Sequence, residues 1–353
     1  MDRTPRKKRY YMPAEWAEHR ATWLSWPKDP LTFPPKIIGK VETTYCKMVE
    51  ALQAGEKVNI LVNDGKQEEH VRKVLGENDV GERNVAFPHI KSVDVWMRDY
   101  GPSFLLNLES EQRGAVRWIF NAWGNKYDDL LADNEAGDAV AKAAASEDGE
   151  LEIFKPGIVM EGGSIEVNGE GTVMTTEQCL LNKNRNPALG KAKIEEYLKE
   201  FLGAEHVIWL KEGIAGDDTD GHIDDFARFV AADTVACAYE GNSGDENSAI
   251  LENNYLTLKK SVDQYGVPLK VVKLPMPSPI IDPEENRRLP ASYANFYIGN
   301  KSVLLPIFND KNDGTAIQAL SECFPERKIV PIPCRELVYG YGGIHCVTQQ
   351  QPK

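Results

Sequence analysis

Five short glycine-bearing segments recur along this chain about every sixty residues, and that period limits the possible folds more than any other feature. Four are read directly: Arg98-Asp99-Tyr100-Gly101-Pro102, Glu161-Gly162-Gly163-Ser164, Gly221-His222-Ile223-Asp224 and Gly342-Gly343-Ile344-His345-Cys346. Gly101 to Gly162 is 61 residues, Gly162 to Gly221 is 59, and Gly221 to Gly342 is 121, or two steps. The remaining slot is therefore expected near Ile281, just ahead of a hairpin that includes Asn295. A fixed period of this size is the mark of a repeat architecture.

The stretches between slots repeat as well. Ile37, Val41, Tyr45, Met48, Val49 and Leu52 share one helical face and stop at Gly55; Ile194, Leu198, Phe201 and Leu202 do so before Gly203; Leu251, Tyr255, Leu258 and Val262 before Gly266. Residues 139–145 and 315–323 read as two further helices. Strand-like runs follow at 57–62, 206–210, 269–274 and 328–332, and Asn168-Gly169 and Gly299-Asn300 punctuate hairpins. Five strand-rich units with a helix each suit a closed α/β ring better than an open stack. The last unit is short, so a strand over 22–26 is expected to pair with the last strand and close the ring, which also removes exposed edges. The alternative is a two-domain α/β protein whose spacing is accidental.

A chain of 353 residues buries a large core without cross-links. Its longest apolar runs are too short to span a bilayer, and the basic start, Arg6-Lys7-Lys8-Arg9, leads into Tyr-Tyr-Met-Pro rather than an apolar leader. Residues 1–11 read as a flexible basic tail, and residues 1–353 as one catalytic domain. The net charge of −13 argues against a nucleic-acid partner and suits a small cationic ligand. Six cysteines, at 46, 179, 237, 323, 334 and 346, form no C-x-x-C pair, so free thiols in the cytoplasm are expected.

In a ring, the slots would gather Asp99, Glu161, His222, Asp224 and Cys346 from distant parts of the chain. Alone, each has a plainer reading. Cys346 could be a buried inert thiol, His222 and Asp224 a structural pair, Asp99 a partner of Arg98 or a turn cap, Glu161 an exposed turn, and Trp96 core packing. On a strand, His222 and Asp224 would face one side, and Cys346 and His345 opposite sides, which makes His222 the base for Cys346. Together the set specifies a chemistry. A thiolate attacks carbon, an imidazole moves protons, and carboxylates bind a planar cation through paired hydrogen bonds. An anionic surround opposes an acyl transition state but favours a guanidinium. Trp96 would stack on that cation. No metal or organic cofactor is called for.

These residues resemble those of the agmatine deiminases, in the bacterial peptidylarginine deiminase-like family of the pentein superfamily. The resemblance covers nearly the whole chain, through Met12-Pro13-Ala14-Glu15-Trp16, Thr22-Trp23-Leu24-Ser25-Trp26-Pro27, Val95-Trp96-Met97-Arg98-Asp99, Glu161-Gly162-Gly163-Ser164, Cys179-Leu180-Leu181-Asn182-Lys183-Asn184-Arg185-Asn186-Pro187, Asp217-Asp218-Thr219-Asp220-Gly221-His222-Ile223-Asp224 and Ile344-His345-Cys346-Val347-Thr348-Gln349-Gln350. It implies a five-bladed α/β propeller, with Cys346 as nucleophile, His222 as general acid and base, Asp99 and Asp224 on the guanidinium, Glu161 beside His222, and Trp96 lining the pocket. It also implies agmatine as substrate, N-carbamoylputrescine and ammonia as products in polyamine synthesis, and a homodimer. The family pattern carries Gly-Gly-Gly-Asn where this chain has Gly340-Tyr341-Gly342-Gly343, so loop shape at Gly343 and the fit of a substrate tail are expected to differ.

Two other functions compete. A deiminase for arginine in peptides would place Arg287 or Arg288 on a C-terminal carboxylate, whereas an agmatine pocket would place Asp218 on the distal ammonium. A non-catalytic binding protein on the same ring would not need the thiol–imidazole–carboxylate set. A metallohydrolase lacks its ligand spacing here.

Overall fold

The protein, in a computed structural model, is an α/β structure described over residues 3–148 and 151–353. Five separate sheets are present among the described residues, and none closes on itself. Each is built the same way: a first strand pairs antiparallel with a second, and the second pairs parallel with a third after a helical crossover. Adjacent parallel strands require such a crossover.

In the first unit Ser103–Asn107 pairs with Arg113–Val116, which pairs with Leu151–Phe154 after the helix Asp133–Asp148. The second uses Glu166–Val167, Thr172–Thr176 and His206–Leu210 around Lys191–Leu202. The third uses Ala227–Ala231, Thr234–Tyr239 and Lys270–Pro275 around Asn247–Leu258. The fourth uses Tyr297–Ile298, Ser302–Ile307 and Lys328–Pro333 around Asp313–Cys323. The fifth is made from both ends of the chain. Gln349–Pro352 pairs antiparallel with His19–Ser25, which pairs parallel with Lys57–Leu61 across Ile38–Leu52. The expected pairing of first and last strands is thus present, with Gln349 opposite Trp23 and Gln350 opposite Thr22.

The helix Ile38–Leu52 shows why these crossovers form. It buries Val41, Tyr45, Met48, Val49 and Leu52 on one face. The helix Gly65–Glu77 escapes sequence reading because it buries only Val71 and Leu75, too few to mark a face, although Asp64 caps it by accepting from the Gln67 N–H at 2.9 Å.

Two expectations need correction. Arg6–Lys8 form a 3-10 turn and Tyr10–Tyr11 pair with Ser103–Asn107, with Thr4 and Tyr10 buried. Residues 3–11 are therefore docked rather than a loose tail, because the two tyrosines supply apolar surface that the basic run conceals; residues 1–2 lie outside the described residues. The fourth slot is not near Ile281, which is 47% exposed. An irregular stretch over residues 276–290 lengthens that unit, and the equivalent turn, over residues 292–296, carries Asn295.

A buried ionic lattice joins the units where their first strands begin. Arg228 Nε lies 2.9 Å from Glu166 Oε2 and its Nη2 lies 2.9 Å from Glu15 Oε1. Glu15 Oε2 meets His345 Nε2 at 2.7 Å and Arg98 Nη2 at 3.4 Å. Removing one charge from such a lattice strands the others away from water. Arg228→Ala is therefore expected to lower unfolding free energy by about 3–5 kcal/mol in a denaturant titration; a loss under about 1 kcal/mol would contradict the coupling.

Candidate active site

Each unit contributes a tight turn just ahead of its first strand, and these turns carry the reactive side chains. Asp99 lies in the helical turn Met97–Tyr100. Glu161 precedes the 3-10 turn Gly162–Ser164, and His222 precedes Ile223–Asp225, which holds Asp224. Cys346 lies in a turn over residues 344–347. The strand alternation expected at 222–224 and 345–346 therefore does not apply, since both segments are turns. His222 and Asp224 still converge, and His345 still points away from Cys346's cavity, but turn geometry is the reason.

The turns bring the expected residues together. His222 Nδ1 lies 3.7 Å from Asp99 Oδ1, and His222 Nε2 lies 3.9 Å from Glu161 Oε2. Cys346 Sγ stands 3.9 Å from Asp224 Oδ2. That oxygen also meets His345 Nδ1 at 2.6 Å, and His345 bridges back to Glu15. Gly163 closes the group: its N–H donates to Asp99 Oδ1 at 3.1 Å. A Cβ there would stand 2.5 Å from His222 Nδ1, 2.9 Å from Asp99 Oδ1 and 3.1 Å from Asp224 Oδ2.

Burial sets the electrostatics. It pushes Asp99 up to about 6, opposed by His222 and aided by Asp224 and Glu161. It raises Glu161 as well, but Arg185, with Nε 2.6 Å from Oε1, and His222 together outweigh it and hold the carboxyl below its usual value. For Asp224, burial is outweighed by the hydrogen bond and charge of His345 together with the charges of His222 and Arg228. Burial disfavours the His222 imidazolium, but Asp99, Cys179 and Glu161 overcome it and hold the ring's pKa well above the usual histidine value. The Cys346 thiol is pushed well above the cysteine range by burial, then by the charges of Asp224, Asp225 and Asp99, with the Gly343 N–H acting against them.

Cys346 lies on a cavity of about 430 Å³ that Trp96, Asp99, Trp123, Tyr127, Asp218 and Arg287 also line. His222 adjoins the lining residue Asp99, Asp224 adjoins Cys346, Glu161 adjoins His222, and Gly343 lies against Asn295. Gly342 is crowded by the Trp96 ring, so no side chain fits there. Asp218 accepts from the Tyr127 hydroxyl and pairs with Arg287 Nη2 at 3.1 Å. Arg287 lies over the Tyr341 ring, 4.5 Å from its centroid, and Tyr341 has a left-handed φ of 68°. Arg288 is bound instead to Asp245 and Glu246 at 2.7 and 3.1 Å.

Several contributors are absent from the sequence reading. Trp123 donates from Nε1 to Asp99 Oδ2 at 2.9 Å, from a left-handed turn with φ 53°. Asn121 holds that turn by accepting from Gly124 N–H at 2.9 Å. Arg185 reaches Asp220 Oδ2 as well as Glu161, at 2.6 Å each. Asn295 donates to Cys346 Sγ at 3.1 Å; its legible signal is one polar residue in an apolar run before a hairpin. Two residue sets have the ligand types of a metal site, Glu161 with Cys179 and His222, and Asp224 with Asp225 and Cys346, each with ligand atoms within 4.8 Å of one another. Arg185 beside Glu161 opposes a metal cation at the first set, and the second opens beside the cavity.

The site and fold are those of a known class of α/β protein. The family model for Porphyromonas-type peptidyl-arginine deiminase matches residues 11–352. A Stutzerimonas stutzeri protein named agmatine deiminase is 38% identical over 365 residues, covering 99% of this chain and 97% of its own. The solved agmatine deiminase of Enterococcus faecalis superposes with a TM-score of 0.89 at 34% identity, covering 99% of this chain and 98% of the other. A cysteine-to-serine variant of the C. jejuni agmatine deiminase with substrate bound gives 0.85 at 32% identity, covering 98% and 96%. The chain therefore belongs to the Porphyromonas-type peptidyl-arginine deiminase family.

Gly163→Ala tests the convergence of the turns. In the wild type, 2-chloroacetamidine is expected to modify Cys346 ahead of the other five cysteines. The alanine should slow that reaction on the order of a hundredfold by displacing the group, with folding cooperativity retained. Equal rates by peptide mass analysis would contradict the arrangement.

Proposed function

We propose that this chain is an agmatine deiminase, hydrolysing agmatine to N-carbamoylputrescine and ammonia through a covalent intermediate on Cys346. The observation that carries this reading is a sulfur at a cavity wall, 3.9 Å from one carboxylate oxygen and surrounded by more carboxylates and indoles. Such a lining suits a planar cation and gives no oxyanion site. Full-length relatives named agmatine deiminase support the same substrate.

In the resting site the thiol keeps its proton, since burial and three carboxylates disfavour a thiolate. A guanidinium seated on Asp99 and Asp224 neutralises those charges, and the sulfur then gives up its proton to water in the cavity, leaving a thiolate beside its target carbon. Attack forms the C–S bond and a tetrahedral adduct. His222, held protonated beside Asp99 and Glu161, gives its proton to the departing nitrogen as the C–N bond breaks, releasing ammonia. The neutral imidazole next accepts a proton from water, which attacks the same carbon. The C–S bond breaks, the departing sulfur takes up the hydroxyl proton of the adduct to return as the thiol, and the ureido product leaves. Trp96 and Trp123 form the flat walls, and Asp218 takes the distal ammonium.

Arginine in peptides is the competing substrate. Arg287 is the residue able to meet a peptide carboxylate; it pairs with Asp218 at 3.1 Å, so a peptide carboxylate and a distal ammonium would each have to divide that pair, and the rest of the lining decides between them. The carboxylates that line this cavity, Asp29, Asp94, Asp99, Asp129, Asp218, Asp282, Glu284 and Glu285, favour a dication. The five similarly built sheets and their shared ionic lattice support one domain arranged as a five-bladed propeller with pseudo-fivefold repeats. The six unpaired cysteines support a cytoplasmic location. The net charge of −13 supports a protein without a nucleic-acid partner, and the family resemblance supports a homodimer.

A ureido colour assay across agmatine, free arginine and a C-terminal arginyl peptide tests the substrate. Agmatine should be turned over with kcat/KM at least roughly a hundredfold above the others, a margin set by an unpaired buried charge, and Cys346→Ala should be inactive. Preference for the peptide would overturn the assignment. The pH profile tests the site. Asp99 binds the cation only when ionised, so kcat/KM should fall as pH drops through about 6. Asp99→Asn should lower activity and abolish that acid limb; a limb that survives the substitution would belong to another group.

A further inference from the structure

The fourth turn contributes a side chain that the reaction sketched above does not use. Asn295 is buried, and its amide is saturated by four contacts. Its Oδ1 accepts from the backbone N–H of His345 at 2.9 Å and of Cys346 at 3.4 Å. Its Nδ2 donates to Asp225 Oδ1 at 2.9 Å and to Cys346 Sγ at 3.1 Å. Backbone N–H groups only donate, so they fix the oxygen on their side, and the amide nitrogen must face the sulfur. Gly343 makes the approach feasible, because any Cβ there would run into the Asn295 side chain.

The charges around the sulfur make a donor valuable. Carboxyls face it from three other positions: Asp99 in the first unit's turn, and Asp224 and Asp225 in the third. Its own turn adds His345, committed to Asp224 and Glu15. Asp225 is pushed well above the carboxylate range by burial, then by Asp224 and Asp217. The donors aimed at Sγ are the Asn295 amide and the Gly343 N–H.

We propose that Asn295 is a catalytic residue that stabilises the Cys346 thiolate through an Nδ2–H···Sγ hydrogen bond, while its carbonyl fixes the turn that carries the sulfur. The bond strengthens as the sulfur gains charge, so it lowers the barrier to forming the nucleophile and expelling it in the second half-reaction. The role rests on the deiminase reading for its substrate, but the thiol itself is testable without turnover.

The test measures Cys346 alkylation by iodoacetamide from about pH 6 to pH 10 in wild type, Asn295→Ala and Asn295→Asp, read by peptide mass analysis. One pKa unit gives about tenfold less thiolate below the pKa. Asn295→Ala should slow alkylation by about that much at neutral pH. Asn295→Asp matches the size and keeps the acceptor for the backbone, so a structural role would make it the milder change. A thiolate donor makes it the worse one, because it adds negative charge beside sulfur. With agmatine, kcat should fall roughly a hundredfold, the scale of one preorganised donor, while KM stays within about threefold. Agmatine affinity in a Cys346→Ala background should be unchanged by Asn295→Ala.

Alkylation rates that stay at wild-type values in the folded variants, or an aspartate milder than the alanine, would overturn the proposal. If the alanine variant fails to fold, the aspartate alone decides. A wild type that turns over no guanidine compound would end the deiminase reading and leave the alkylation result standing on its own.

Discussion

The pairing of Gln349–Pro352 with His19–Ser25 is the contact on which the rest depends. It completes the fifth unit from the two ends of the chain, giving Gln349–Pro352 its strand partner. The turn bearing Cys346 sits immediately before that last strand. Its position is held by Arg98, whose backbone N–H donates to Cys346 O at 3.1 Å and whose Nη1 reaches Gln350 at 2.7 Å. Strand pairing and this clamp together set a sulfur from the chain's end against carboxylates that precede it by more than a hundred residues.

Concentrating carboxylates at one buried place carries a large desolvation cost. The molecule offsets it from behind. Arg185 serves Glu161, His345 serves Asp224, and Arg228 serves Glu15 and Glu166. Asp99 is served by Trp123 and the Gly163 N–H together with His222, which leaves its carboxyl raised to about 6. The front of the site is therefore short of positive charge when empty. In the proposed reaction a planar cation supplies what is missing, so that one binding step would both select the ligand and ready the thiol.

Much of this was legible because the repeat is a physical necessity. Every unit needs a tight turn before its first strand, and glycine marks such turns at 101, 162, 221 and 342. The spacing alone therefore grouped Asp99, Glu161, His222, Asp224 and Cys346. It failed at the fourth unit, where residues 276–290 stretch the period and carry the slot from Ile281 to Asn295. Trp123 and Arg185 were out of reach for another reason. They enter from loops outside the slots, and a left-handed Ala122-Trp123 turn has no apolar period to announce it. Strand alternation was the wrong tool at His222 and Cys346, since a residue's direction in a 3-10 turn follows its local hydrogen bonds.

The most direct measurement is the intact mass of the protein quenched in acid within milliseconds of mixing with agmatine. The expected result is a transient species heavier by agmatine less ammonia, with the added mass on the peptide that contains Cys346. Steady production of ureido product with no such species, in a protein whose Cys346→Ala variant still turns over, would contradict covalent chemistry at this sulfur.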